Sequence, residues 1–219
     1  MKSALVIVDV QNDFCEGGSL AVPHASEIIP VVSSLRQRRG SLFDVLVVSK
    51  DWHPPDHCSF RLSKKEGNAN GSSSSPAASQ RCTSACKPIW PPHCVRGTKG
   101  AELHPLLKGL EEEADIVIPK GTDKMKDNYS AFWDNEKQVP SGLEQKLKTA
   151  GVRKVYVCGL ALDYCVGSTA IDAAEAGFEC YVIQDATRGI SEETIRKEYD
   201  LFKAKGVGVI TSKQLLGGC

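Results

Sequence analysis

The sequence predicts an α/β fold: one six-stranded, mostly parallel sheet with helices on both faces, in a Rossmann-like three-layer arrangement. Three observations carry the prediction. Apolar segments of strand length alternate with helical segments along all 219 residues, with no internal repeat. The segments 4–10 and 45–49 are apolar on both parities and partly β-branched, as strands buried on both faces of a parallel sheet must be. With 41% hydrophobic and 25% charged residues, the chain can bury the core of one sizeable domain spanning 1–219.

The first strand is 4–10, interrupted near its end by Asp9. A helix follows at about 27–39, with Pro30 tolerable only in its first turn and Gly40 ending it. The second strand, 45–49, leads into a loop that carries Asp51, Trp52 and His53. A stretch from about 64 to 87 is low in complexity and rich in serine, and reads as an inserted loop without a packing signal. Beyond it a short helical segment precedes a third strand at 115–119, which ends at Lys120. Ser141 and Glu144, in capping-box spacing, open a helix that Gly151 stops. The fourth strand is 154–158, and Cys165 starts the alanine-rich helix after it. A strand at about 180–183, an amphipathic helix at 192–205 and a strand at 207–211 complete the chain.

Charge and cysteine usage narrow the function. Lys plus Arg equals Asp plus Glu, 27 each, so no global field draws the chain to nucleic acid or an anionic membrane. A small-molecule partner is expected, and a homo-oligomer is left open. Nine cysteines, an odd number without a signal peptide before them, argue for reduced thiols and a cytoplasmic setting. The apolar run at the start is too short for a spanning helix.

In such sheets ligands bind outside the carboxyl ends of the strands. Asp9, Asp51, His53, Lys120 and Cys165 all fall on that edge. A thiol at a strand end and helix start is favoured as thiolate, and it needs a base and a cation, which Asp9 and Lys120 can supply. The competing reading is a structural ion pair beside a packing cysteine. Asp51, His53 and His93 offer one oxygen and two imidazole nitrogens, a set suited to zinc, iron or manganese, with His57 as a further ligand or an outer donor. Cys82, Cys86 and Cys94 with His93 form a weaker rival zinc set. His24 and His104 read as surface or capping residues. Phe14 and Trp90 could line a pocket for a flat ring. QNDFCEGG after the first strand lacks phosphate-binding glycine spacing, which disfavours a dinucleotide.

Five blocks in one order, VDVQNDF (8–14), DWHPPDHCSF (51–60), WPPHCVRGTKGAELH (90–104), KGTDKMKDNYSAF (120–132) and GLALDYCVGSTAIDAA (159–174), make the chain resemble the nicotinamidases, also called pyrazinamidases, within the isochorismatase-like cysteine hydrolases. The resemblance implies a triad of Asp9, Lys120 and Cys165, and one divalent metal on Asp51, His53 and His93, zinc first and iron or manganese as alternatives. His57 stands where only some members supply a ligand. Leu160 and Ala161 match a cis peptide that turns the Ala161 amide beside that of Cys165 to form an oxyanion hole. Phe14 and Trp90 match residues that sandwich a pyridine ring, and Leu160 and Tyr129 are counted with them as substrate-binding. The implied activity is hydrolysis of nicotinamide to nicotinate and ammonia through a cysteine thioester in NAD salvage, with pyrazinamide as a second substrate. Hydrolysis of another small amide, or a non-enzymatic metal- or redox-sensing module, are the alternatives.

Overall fold

The computed structural model describes residues 1–61 and 90–217. The serine-rich stretch, Cys82, Cys86 and Cys219 lie outside them. Six strands, β1 (Lys2–Val8), β2 (Val45–Asp51), β3 (Ile116–Lys120), β4 (Val152–Leu160), β5 (Glu179–Arg188) and β6 (Gly208–Ile210), form one sheet in the order β3-β2-β1-β4-β5-β6. Every pairing is parallel. The chain therefore builds outward from β1 on one side, then returns to start β4 on the other. That reversal opens a crevice at the carboxyl ends of β1 and β4, where such sheets bind ligands.

Period-two alternation decides which helix covers which face. Leu5, Ile7, Leu46, Val48 and Cys158 point to one side, against Ile29, Val32 and Leu35 of α1 (Ile29–Arg36) and Leu110 of α2 (Leu110–Glu113). Ala4, Val6, Val8, Val47 and Val157 point to the other. There they meet Leu143 and Leu147 of α3 (Leu143–Thr149), Ala170 and Ala173 of α4 (Gly167–Glu175) and Phe202 of α5 (Glu192–Lys205). A final short helix, α6 (Ser212–Leu215), packs Leu215 on the α1 side. Truncating any fully buried leucine of these layers costs about 2–5 kcal/mol, so the sheet is a stiff platform for the loops on its edge.

Several elements differ from the sequence reading, each for a local reason. Asp51 is the last residue of β2 rather than a loop residue, because Asp51 still pairs with Lys120 of β3. Ser141 is not an N-cap: Gly142 takes that place with φ +83, and the Ser141 hydroxyl accepts the Leu143 N–H instead. β5 continues to Arg188 through a register shift opposite β4, past the polar residues Gln184 and Asp185. Cys165 does not start an α-helix. It sits in a π-helical turn, Leu162–Val166, that precedes α4. Cys15, Cys94, Cys158, Cys165 and Cys180 are free thiols as expected, whereas Cys58 is disulfide-bonded, so the expectation of reduced cysteines fails there. Among the described residues, no helix is long and apolar enough to cross a membrane.

Candidate active site and metal centre

Strand pairing brings the first set of residues together. Asp9 follows β1 with φ +49, a left-handed conformation that turns its side chain into the crevice. Its N–H donates to the Ser49 carbonyl (3.1 Å), and its Oδ1 accepts the Ser49 hydroxyl (2.8 Å). Lys120 closes β3 in register with Asp51, two strands away from Asp9, and its ammonium reaches back across β2. Nζ stands 2.8 Å from Asp9 Oδ2, pairs with Asp51 Oδ1, donates to the Asn128 carbonyl (3.0 Å) and lies 3.4 Å from Cys165 Sγ. Asp9 Oδ2 lies outside hydrogen-bonding alignment with Nζ and keeps a lone pair free. One oxygen each of Asp9 and Asp51 and the Cys165 sulfur all fall within 4.8 Å of one another.

Cys165 reaches this cluster because β4 ends tightly packed against β1. A Cβ on Gly159 would run into the Val8 carbonyl, so only glycine fits there, at φ +116. The Leu160–Ala161 peptide after it is cis. The turn carrying Cys165 is anchored by Asp163, whose carboxylate accepts the Ile190 and Ser191 N–H groups at the N-terminus of α5.

Burial dominates the electrostatics. It pushes the Asp9 carboxyl up to about 6, against the pull of Lys120. It also works against the Lys120 charge, yet Asp51 and Asp9 hold that ammonium well above the ordinary lysine range. The Cys165 thiol is raised well above its usual range by burial and by the two carboxylates, with Lys120 opposing. Burial thus opposes the thiolate that a helix start was expected to favour, and Cys165 lies in a π-helical turn rather than in an α-helical first turn.

Asp51 is shared with the second set. Its Oδ2 lies 3.5 Å from His53 Nε2 and 3.8 Å from His93 Nε2. Tetrahedral ligands about 2.0–2.2 Å from a zinc-sized ion are about 3.5 Å apart, so the spacing suits one ion between them. Each ring's other nitrogen is committed to a carbonyl: His53 Nδ1 to Gly121 (2.9 Å) and His93 Nδ1 to Pro91 (2.8 Å). Those bonds commit both Nδ1 atoms as N–H donors and turn both Nε2 atoms toward Asp51, which holds His53 above its usual range against burial. Burial holds His93 below the usual histidine range, in the neutral form a metal needs. One buried ammonium between two buried carboxylates leaves a formal negative excess, which a cation at the histidines would offset. The donor set thus fits a divalent metal.

His57 stacks on His53 with ring centroids 4.1 Å apart, but both its nitrogens are engaged, Nδ1 with Ser59 Oγ (2.7 Å) and Nε2 with the Lys126 carbonyl (3.0 Å). That leaves it outside the set, as a support for His53. Asp127 is a further carboxylate near His53 and His57. The cysteine-based zinc set falls largely outside the described residues, and Cys94, fully buried, points its backbone rather than its sulfur to a partner in Asp13.

A pocket lies over both sets. Asp51, His53, His93, Ala161 and Cys165 are among the residues that line it. Phe14, Trp90 and Tyr129 line it as expected; Tyr164 joins them, edge-on to Trp90 at 5.1 Å, and Trp90 Nε1 donates to the Tyr129 hydroxyl (3.2 Å). Leu160 does not line it: its side chain is fully buried in the α1-side core. Leu20, Val22 and Ile190 close the apolar side and were not foreseen, because they come from irregular loops with no periodic signal. Tyr164, beside Cys165 in sequence, could have been found from that adjacency.

In sequence and fold the chain is similar to known proteins. The isochorismatase domain model matches residues 3–214. A nicotinamidase from Acinetobacter baylyi is 39% identical, over 97% of this chain and 94% of its own length. The yeast nicotinamidase bound to the inhibitor nicotinaldehyde superposes with TM-score 0.80 at 33% identity, covering 95% of this chain and 99% of that one. A pyrazinamidase from Pyrococcus horikoshii in complex with zinc gives TM-score 0.75 at 34% identity, covering 96% and 99%. With a fold and a sequence alike over nearly its whole length, the chain belongs to the isochorismatase family, in its nicotinamidase branch.

Proposed function

We propose that this chain hydrolyses nicotinamide to nicotinate and ammonia, as its relatives' names describe for them, with pyrazinamide as a second substrate. The observation that carries the reading is the Asp9–Lys120–Cys165 cluster at the foot of an aromatic pocket whose wall holds Asp51, His53 and His93. A flat heteroaromatic amide suits that combination. Phe14 and Trp90 take the faces of the ring, and the carboxamide carbon is presented to Cys165.

Asp9, through its free Oδ2, accepts the Cys165 proton as the sulfur attacks the carboxamide carbon. The backbone N–H groups of Ala161 and Cys165 receive the developing oxyanion, a contribution of about 2.7–4 kcal/mol per donor to the barrier. Asp9 then returns the proton to the leaving ammonia, and a thioester remains on Cys165. Water, deprotonated by Asp9, attacks the thioester; the C–S bond breaks, nicotinate leaves and Asp9 returns the proton to the Cys165 sulfur. Lys120 holds Asp9 against rotation and balances charge at the sulfur throughout. Asp51, His53 and His93 would hold the divalent ion, zinc in this proposal, which would supply Lewis-acid chemistry for binding the ring. Nicotinaldehyde, the inhibitor bound to the yeast relative, carries a carbonyl of the kind a thiol nucleophile traps.

The test is ammonia release from nicotinamide by the purified protein, beside a sample stripped with chelator. Release that falls on stripping and returns with zinc is expected. A folded, zinc-loaded protein that releases none would overturn the assignment.

A further inference from the structure

The two residue sets described above share Asp51, and the turn that follows β1 bonds to the backbone beside both. After Asp9, residues 10–13 carry three polar side chains, Gln11, Asn12 and Asp13, none of which lines the pocket.

Gln11 is fully buried, and its amide is saturated. Oε1 accepts the Asp51 N–H (2.8 Å), and Nε2 donates both to the Asp51 carbonyl (2.7 Å) and to the Ala101 carbonyl (3.0 Å). One planar amide thus grips both polar groups of Asp51's own backbone, as a neighbouring strand would, at the point where β2 ends. Asp13 does the corresponding work on the other segment. Its Oδ2 accepts the Cys94 N–H (2.7 Å). Cys94 has φ +45, a conformation that a residue with a Cβ adopts only when it is held, and it reverses the chain directly after His93. The fit around Asp13 is close: a Cβ on Gly100 would collide with its carboxylate. Asn12 adds a bond to the Lys99 carbonyl (2.7 Å), tying the same turn to 99–101.

We propose that Gln11 and Asp13 are positioning residues that set the metal centre: Gln11 orients Asp51, and Asp13 orients His93, both from the turn that carries the base Asp9. The proposal rests on the metal reading above and extends it. Metal affinity is then a property of this turn as well as of the three ligands. Outer groups that orient metal ligands are typically worth 10–100-fold in affinity.

The experiment measures zinc affinity by competition with a chromophoric chelator, and the zinc-induced rise in Tm, for the parent protein and for Gln11→Met, Asp13→Ala and Asp13→Asn. Neither readout needs substrate. Zinc binding 10–100-fold weaker in Gln11→Met and Asp13→Ala is expected, with a smaller zinc-induced rise in Tm whatever the metal-free Tm. Asp13→Asn keeps an acceptor for the Cys94 N–H and should recover most of the affinity. A purely structural role would lower the metal-free Tm and leave affinity within threefold of the parent, and that result overturns the proposal. If Gln11→Met does not fold, the Asp13 pair decides alone. A parent that binds no zinc overturns the metal reading and this proposal together, whereas a zinc-binding parent with unaffected variants overturns only the latter.

Discussion

The Lys120 ammonium lies 3.4 Å from the Cys165 sulfur, fully enclosed at the end of β3. It is also the cation between Asp9 and Asp51, so one side chain holds together the proposed base, the proposed nucleophile and a proposed metal ligand. Lys120→Met removes that cation and leaves two carboxylates facing each other out of water. Breaking a buried pair in this way costs about 3–5 kcal/mol. Urea denaturation should show that loss, with turnover down at least about a hundredfold; stability within about 1 kcal/mol of the parent would contradict the arrangement.

Asp9 must be ionised to take the thiol proton, and its burial raises its carboxyl to about 6. Activity should therefore be full above that pH and fall about tenfold per unit as pH drops through 6, rather than holding down to the ordinary carboxylate range. A pH profile of kcat/KM for the zinc-loaded protein checks this. An acid limb near 4 would place the base elsewhere.

Gly121 has φ +59, and a Cβ there would strike the His53 ring. Its carbonyl also accepts from His53 Nδ1, so the position controls that ring twice. Gly121→Ala should weaken zinc binding at least about tenfold, measured by equilibrium dialysis, with a stability loss of about 1 kcal/mol from the backbone conformation alone.

Glu198, on α5, is buried, and burial with the nearby Asp163 charge raises its carboxyl from 4.5 to about 7. A folded-state value above the unfolded one means the native state holds the proton more tightly. The resulting stability is full below 4.5 and is lost as pH rises through 7. Glu198→Gln keeps the shape without the charge. Thermal melts should find it more stable than the parent by about 1–2 kcal/mol at pH 8 and not at pH 4; equal stability at both would show that Glu198 ionises freely.

Much of this was legible in the sequence because parallel strands buried on both faces leave continuous apolar runs, and each run ends at a polar residue. Asp9, Asp51, Lys120 and Cys165 could be assigned to one edge before any coordinate was known. What escaped had no local signature. The π-helical turn under Cys165 depends on how Asp163 docks on α5, not on residue type. The helix-start argument for a thiolate left out burial beside two carboxylates, which pushes the thiol up. Leu160 was counted with the substrate-binding residues from the resemblance alone, and its side chain is fully buried in the core instead. Gln11 and Asp13 were in view within VDVQNDF, yet the pairing of a side-chain amide with a backbone on another strand leaves no spacing to read.

The central claim is that Cys165 is the nucleophile. Rapid acid quench of the zinc-loaded protein during turnover of nicotinamide, followed by peptide mass spectrometry, tests it directly. A nicotinoyl adduct on the peptide containing Cys165, absent together with all turnover in Cys165→Ala, is the predicted result. Ammonia release by Cys165→Ala at a rate near that of the parent would contradict it.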